Sequence, residues 1–172
     1  MAIEEASYFV LEQDGKFEIR DYAAHVIAET LVQGGLEQAG KEAFQKLFRY
    51  ISGDNRSRVK LAMTAPVGQR PAQGNWAVSF TMPASQGLET LPDPEDLKVV
   101  LRQVPARRMA AVRYSGFWDE KGYLRYKNEL EAWIQAKGLA VAGEPVWARY
   151  NSPFTLWFLR RNEILVPVAD QP

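Results

Sequence analysis

The first half of the chain carries a pattern of apolar and polar residues that predicts strands followed by a helix. Apolar and polar residues alternate over residues 16–32, which predicts two strands that meet at 22–24 or one bent strand. Over residues 36–51 apolar residues recur every three or four positions, as they do on one face of a helix. Gly53 follows and suits a left-handed C-cap, so we expect the helix to end there.

Further strands are predicted after this helix. Residues 59–67 predict a strand with Pro66 near its end, which places this strand at a sheet edge or a bulge. Residues 76–82 alternate large with small side chains and predict a paired strand. The prolines within residues 87–96 predict a connecting loop.

The second half of the chain repeats this order of elements at low identity. The pattern predicts strands at 99–104 and 108–114, a helix at 123–137 capped by Gly138, and strands at 146–150, 156–159 and 163–168.

The repeat leads to a prediction for the whole fold. The halves, about residues 16–86 and 98–168, each run strand–helix–strand–strand. Since neither half alone would bury the faces of its helix and strands well, we expect a single domain over residues 1–172. The predicted fold class is α+β. Its strands form a distorted antiparallel β-barrel or a curved sheet, with the two main helices outside.

Composition narrows the classes of function. Lysine plus arginine and aspartate plus glutamate both number 21, so the net charge is zero, which argues against a nucleic-acid partner. The absence of cysteine excludes disulfides, thiolate catalysis and cysteine-ligated metals, and one histidine, His25, excludes a multi-histidine site. The start of the chain lacks the features of a signal peptide, and no apolar run is long enough for a membrane span. We therefore expect a cytoplasmic protein.

Five short segments in a fixed order suggest a family. They are Phe17-Glu18-Ile19-Arg20-Asp21-Tyr22, Phe44-x-x-Leu47-x-x-Tyr50-Ile51-x-Gly53-x-Asn55, Met63-Thr64-Ala65-Pro66-Val67, Arg149-Tyr150-Asn151-Ser152-Pro153 and Arg161-Asn162-Glu163-Ile164. Together they resemble the SOUL haem-binding protein family over nearly the whole chain. The resemblance implies a distorted β-barrel with two helices, related to the effector-binding domains of some transcription regulators. It also implies binding of haem or a related tetrapyrrole.

The first helix carries aromatic residues beyond its buried face. On a helical wheel Phe44 and Phe48 lie past the core-facing residues, and Lys41 borders them. These rings either pack under a loop or the other helix, or they line a groove for a flat apolar ligand. The resemblance implicates this helix face in haem binding. Lys41 would then pair with a haem propionate at the rim of the groove.

A second aromatic pair lies in the other half of the chain. Phe117 and Trp118 follow Ser115-Gly116 and are expected in a loop, where they either close over the same groove or cover the core. The arginine pairs at 107–108 and 160–161 are either solvated or available to propionates.

An iron ligand is harder to place. The resemblance puts the axial histidine of the family at the position of Asp21, and His25 lies four residues later. His25 is therefore a weak candidate for iron. Tyr150 or Met63 are alternatives, as is haem held by apolar contact alone.

Glu163 precedes an apolar strand and would need a cation or hydrogen bonds if it is buried. By resemblance to the effector-binding domains, an acidic residue near this place meets a cationic ligand. The other interpretation is an ion pair with Arg160 or Arg161.

These observations favour a binding protein over an enzyme. The first hypothesis is a carrier, buffer or sensor that binds haem or another tetrapyrrole. The second is an effector-binding module for another small apolar or cationic ligand. The third is an enzyme acting on such a ligand through Glu163 or Tyr150, although the sequence has no recognisable catalytic triad, phosphate loop or metal cluster.

Overall fold

A computed structural model describes residues 3–170 of the chain. The strands are β1 Glu4–Glu5, β2 Tyr8–Asp14, β3 Phe17–Tyr22, β4 His25–Val32, β5 Thr64–Ala65, β6 Val67–Ala72, β7 Asn75–Thr81, β8 Val99–Val104, β9 Arg107–Tyr114, β10 Val146–Arg149 and β11 Asn162–Pro167. The helices are α1 Leu36–Ile51, α2 Glu120–Ala136 and a short 3-10 helix at Trp157–Leu159.

Nine of the strands form one antiparallel sheet in the order β2-β3-β9-β11-β10-β6-β7-β4-β8. The two outer strands, β2 and β8, do not pair with each other, so the sheet stays open. The short strands β1 and β5 form a separate parallel pair. The predicted α+β class with an antiparallel sheet and two main helices is confirmed, and the sheet is not closed into a barrel.

The strand order is symmetric about the pairing of β10 with β6. If β3, β4, β6 and β7 are exchanged with β8, β9, β10 and β11, respectively, the order of these eight strands reads the same in reverse. The two halves of the chain therefore contribute the same arrangement of four strands to the sheet. The limits 16–86 and 98–168, and the single domain over residues 1–172, stay predictions.

Both helices pack on the same face of the sheet, as the strand register shows. Alternate residues of a strand point to opposite faces, and directly paired residues point to the same face. Phe80, under α1, pairs with Val67, which pairs with Arg149. Next to Arg149 on the same face, Trp147 pairs with Ile164, which packs under α2. The opposite face of the sheet carries neither helix.

The helix α1 has the predicted bounds. Its buried residues lie on one stripe and cover β4 and β7; they are Leu36, Ala39, Gly40, Ala43, Leu47, Tyr50 and Ile51. Gly53 has φ of 116°, the left-handed conformation expected of a residue that ends a helix.

Two predicted strands differ from the structure. Within the strand predicted over residues 59–67, residues 59–63 are irregular, and only β5 and the first residue of β6 are strand. The side chain of Asn55 bonds both the amide and the carbonyl of Val59, so this backbone is satisfied outside the sheet. Residues 156–159 include a short 3-10 helix in place of a strand. They lie in the connection between the paired strands β10 and β11, where no neighbouring strand is available.

The strand β2 was not predicted. It pairs with β3 at an edge of the sheet, and all but its first residue are exposed. With no buried face, its sequence has no alternation to detect.

Candidate functional site

The residues Gly40, Phe44 and Phe48 follow one another at four-residue spacing and form a stripe along one side of α1. Phe44 is partly buried and packs against Phe80, with ring centroids 5.3 Å apart. Phe48 stacks on Phe44 at 5.8 Å and leaves 48% of its surface exposed. Lys41 is exposed on the same helix. The predicted aromatic surplus on α1 is therefore half open to solvent.

Arg149 lies beside this stripe on the helix-covered face of the sheet. Its Nη2 donates to Oε1 of Gln69 at 3.2 Å, and its guanidinium covers the ring of Trp147 at 4.7 Å. Among residues 3–170 it has no carboxylate partner, and its Nε has no acceptor. Burial lowers the pKa of Arg149 to about 10. A partly buried cation without a counter-charge suits an anionic group from outside.

Gly40 allows this close approach between helix and sheet. A Cβ atom at Gly40 would lie 2.9 Å from Oε1 of Gln69 and 3.2 Å from the guanidinium nitrogens of Arg149. Gln69 is fully buried and also donates to the carbonyl of Leu36, which fixes its side chain. Because Gly40 has no side chain, α1 can pack directly against Gln69 and Arg149.

The Gly40→Val variant is expected to unfold more easily by about 1–3 kcal/mol, because the added side chain forces α1 away from the sheet. Urea denaturation would measure this change. The matched control is Gln45→Val at an exposed position of the same helix, which carries the cost of a β-branched residue without the clash. Equal losses in the two variants would show that the close packing at Gly40 has no special importance.

A second aromatic group projects from the other half of the chain. We call residues 154–159, between β10 and β11, the aromatic loop. Its large apolar side chains are all exposed, with Phe154 at 95%, and the others are Leu156, Trp157, Phe158 and Leu159. Phe117 is also exposed and stacks on Trp157, with centroids 4.9 Å apart. Exposed aromatic surface of this extent commonly marks a binding surface.

Trp118 and two arginines join this loop to α1. The Nε1 of Trp118 donates to Oδ1 of Asn162 at 2.8 Å. Its ring is covered by Arg160 at 4.3 Å and faces Arg149 at 5.7 Å. Arg160 also donates to the carbonyls of Thr155 and Pro153 at the base of the loop. Contacts therefore run from Gly40 through Arg149, Trp118 and Arg160 to the aromatic loop.

Sequence reasoning missed the aromatic loop and Arg149. The apolar run at 156–159 predicts a strand, although residues 154–159 do not alternate and are bounded by Pro153 and Arg160. This lack of alternation was the available signal. No local sequence pattern points to Arg149, because its contacts with Trp118 and Gly40 depend on the packing of both helices.

Glu163 lies on the opposite face of the sheet, in a buried ion pair. Its two carboxylate oxygens accept hydrogen bonds from the two terminal nitrogens of Arg20, both at 2.7 Å. Arg161 lies 3.2 Å away, as predicted, whereas Arg160 binds elsewhere. Burial opposes ionisation, but the hydrogen bonds and charge of Arg20 and the charge of Arg161 hold the pKa of Glu163 below its usual range. Its charge is already compensated, so it offers little to a cationic ligand.

Tyr150 lies near Glu163 and away from the stripe on α1. Its ring is covered by Arg161 at 3.8 Å, and its hydroxyl is buried. Burial and the neighbouring charge of Glu163 raise the pKa of Tyr150. The site residues predicted from the sequence thus lie on both faces of the sheet. Lys41, Phe44, Phe48, Phe117 and Trp118 belong to the helix side, and Tyr150 and Glu163 to the other face.

The candidate iron ligands also divide. His25 lies on the helix-free face, with Nδ1 2.9 Å from the carbonyl oxygen of Ala23. Burial lowers its pKa, and the charges of Arg107 and Arg102 act in the same direction. Met63 is partly buried and, like Phe44, packs against the core under α1. Among residues 3–170 no three potential ligands of the His, Cys, Asp or Glu type gather into a metal-binding group.

Two of the arginines proposed for propionates are engaged elsewhere. Arg108 donates to both carboxylate oxygens of Asp21, at 2.8 and 3.1 Å. Arg161 pairs with Glu163 and Glu5. Arg149 and Arg160, in contrast, lie near Trp118 at the aromatic surface.

No helix within residues 3–170 combines the length and the hydrophobicity that a membrane crossing requires.

Comparison with known proteins agrees with this architecture. The family model described as SOUL heme-binding protein matches residues 3–167. Heme-binding protein 2 of Homo sapiens is 27% identical over 168 residues, which covers 88% of this chain and 81% of that protein.

Two solved structures share the fold. The C-terminal domain of EcmrR superposes with a TM-score of 0.66 at 13% identity, covering 90% of this chain and 98% of that one. The structure of SAV2435 bound to tetraphenylphosphonium gives a TM-score of 0.52 at 10% identity, covering 89% and 93%. At such identities the likeness concerns the fold alone. The family match, in contrast, spans nearly the entire sequence, and the chain belongs to the SOUL haem-binding protein family.

Proposed function

We propose that this protein binds haem or a related tetrapyrrole on the helix-covered side of the sheet, between the stripe on α1 and the aromatic loop. Family membership supports the class of ligand. The observation that carries the position is the exposed aromatic surface, with Phe48 half exposed on one side and Phe117 stacked on Trp157 on the other. Arginines without carboxylate partners lie between the two.

The chemistry of this surface fits a flat macrocycle with acidic side groups. The rings of Phe44, Phe48 and Trp157 offer apolar faces, whose burial contributes about 25 cal/mol per Å² before the cost of association. Arg149 and Arg160 offer guanidinium groups to the propionates, which they can bind through two parallel hydrogen bonds. Lys41 supplies a further exposed cation on α1.

If the iron takes a ligand from the protein, Met63 is the candidate on this side, since His25 and Tyr150 lie on the other face. A thioether bond to the iron would be lost in Met63→Leu, which keeps the size and the apolar character. The absorption spectrum of the haem complex would then change while the affinity falls little. An unchanged spectrum would mean that Met63 does not bind the iron.

Titration with hemin, followed by its Soret band, tests the proposal. In the double variant Phe44→Ala, Phe48→Ala the affinity is expected to fall about ten- to a hundredfold, because two apolar contacts with the macrocycle are removed. The control is Phe9→Ala, which removes an exposed phenylalanine on the edge strand β2.

A second double variant, Trp157→Ala, Phe158→Ala, tests the aromatic loop in the same titration. Loss of affinity in both double variants, with none in Phe9→Ala, supports a site between α1 and the loop. If all three variants bind hemin as the native protein does, the ligand lies elsewhere. Absence of any Soret change in the native protein would overturn the proposal itself.

A further inference from the structure

The face of the sheet without helices contains a small pocket of about 70 Å³. Its lining includes the apolar side chains of Ile27 and Met109 and the charged side chains of Arg70, Arg102, Arg107 and Glu29. A water molecule needs about 10–15 Å³ measured in this way, so the pocket holds on the order of five waters or a ligand of similar size. A tetrapyrrole is far larger, so this pocket is too small to hold one.

The charges around the pocket do not balance. Glu29 accepts hydrogen bonds from Arg70 at 3.1 Å and from Arg102 at 3.2 Å, so one carboxylate serves two guanidinium groups. Arg107, which also lines the pocket, has neither an ion pair nor a side-chain hydrogen bond with any of residues 3–170. Three arginines thus face one acid.

The arginines also repel one another. Arg107 is exposed to solvent; desolvation by the neighbouring strands lowers its pKa in part, and the charges of Arg102 and Arg70 lower it further. His25, which also lines the pocket, has a lowered pKa as well, and it cannot supply the missing negative charge. An anion in the pocket would relieve the repulsion and give Arg107 the partner that it lacks.

We propose that this pocket is a second binding site, for a compact anion with a carboxylate or phosphate group. Arg107 would bind the anionic group, with Arg70 and Arg102 held beside it by Glu29. Ile27 and Met109 would contact a short hydrocarbon part where the ligand has one. The site is separate from the proposed haem surface, since it lies on the opposite face of the sheet. It does not depend on haem binding being correct.

The site can be tested by NMR on the ¹⁵N-labelled protein, following the Nε–Hε signals of the arginine side chains. Sodium butyrate and inorganic phosphate are added in separate titrations, and sodium chloride of equal ionic strength serves as the reference because it only screens charge. We expect the signal of Arg107 to shift and saturate with butyrate or phosphate and not with chloride. Tighter butyrate binding would identify an organic carboxylate as the ligand class, and tighter phosphate binding a phosphate group.

Two variants make the test specific. Arg107→Gln is expected to weaken binding of the better probe by about tenfold, as expected for the loss of one charged hydrogen-bonding group. Arg113→Gln removes an exposed arginine from the same strand and the same face outside the pocket, and should leave binding unchanged. Thermal unfolding of both variants shows whether they are folded.

The proposal is overturned by either of two results. In the first, chloride shifts the Arg107 signal as much as both probes do, which would mean that the arginines only sense ionic strength. Equal weakening in Arg107→Gln and Arg113→Gln would mean that the anion binds the general positive surface. The hemin titration of Arg107→Gln is expected to match the native protein, which separates this proposal from the first.

Discussion

The Glu163→Gln variant is expected to lose about 3 kcal/mol of unfolding free energy, because it leaves a buried arginine without its main counter-charge. Glu163 has no exposed side-chain surface and that of Arg20 is 1% exposed. Glutamine keeps the size but not the charge. Its carbonyl oxygen can accept from Arg20, but its amide nitrogen cannot replace the second acceptor. Glu18, at 2.6 Å from Arg20, compensates in part, which limits the loss.

Urea denaturation at neutral pH measures this effect, and Glu131→Gln is its control. Glu131 pairs with Lys127 on the exposed surface of α2, so its replacement should cost less than about 1 kcal/mol. The effect should also depend on pH. The pKa of Glu163 is lowered by folding, so its contribution is complete above the unfolded pKa of about 4.3 and is lost as the pH falls through the lower folded value. The difference between the native protein and Glu163→Gln should therefore shrink in acid. Equal losses for the two variants at neutral pH would contradict the assigned role.

Asn55→Ala is expected to cost about 3 kcal/mol, since it removes three hydrogen bonds that a fully buried side chain makes to the backbone. Asn55 is fully buried just beyond α1. Its Nδ2 donates to the carbonyls of Tyr50 at 2.9 Å and Val59 at 2.8 Å, and its Oδ1 accepts from the amide of Val59 at 3.1 Å. Alanine can replace none of these bonds. The irregular segment that leads to Pro66 should loosen with them.

Amide hydrogen exchange at Val59 and urea denaturation test this prediction together. The control is Asn128→Ala at an exposed position of α2, for which a change within about 0.5 kcal/mol is expected. Val59 should exchange much faster in Asn55→Ala and at the native rate in Asn128→Ala. If Val59 stays protected in Asn55→Ala, another group holds the segment.

The elements that the sequence predicted well are those in which periodicity and an end signal agree. The bounds of α1 follow from one apolar stripe and from Gly53, whose φ is positive as a C-cap requires. Strand β8 has the predicted bounds as well. Strand β2 was not predicted because it lies at the sheet edge and buries no side chain deeply. Its sequence therefore shows no alternation of apolar and polar residues. The strand prediction at 156–159 was wrong because these apolar residues face solvent in the aromatic loop.

The candidate sites show a similar division. The helical wheel of α1 was enough to separate Phe44 and Phe48 from the buried stripe, because this is a local property of one helix. The ion pair between Arg20 and Glu163 joins residues 143 positions apart, and no local pattern connects them. The same is true of the arginines around the small pocket, since Arg70, Arg102 and Arg107 come from three strands.

The position of β11 matters when the protein is made on the ribosome. It is the last strand of the sheet to be synthesised, yet it lies inside the sheet between β9 and β10. Until it emerges, the neighbouring edges of β9 and β10 are unpaired, and Arg20 lacks Glu163. Unpaired strand edges readily join other chains and aggregate. The nascent chain therefore passes through a vulnerable interval in which a chaperone that shields these edges would raise the yield of folded protein.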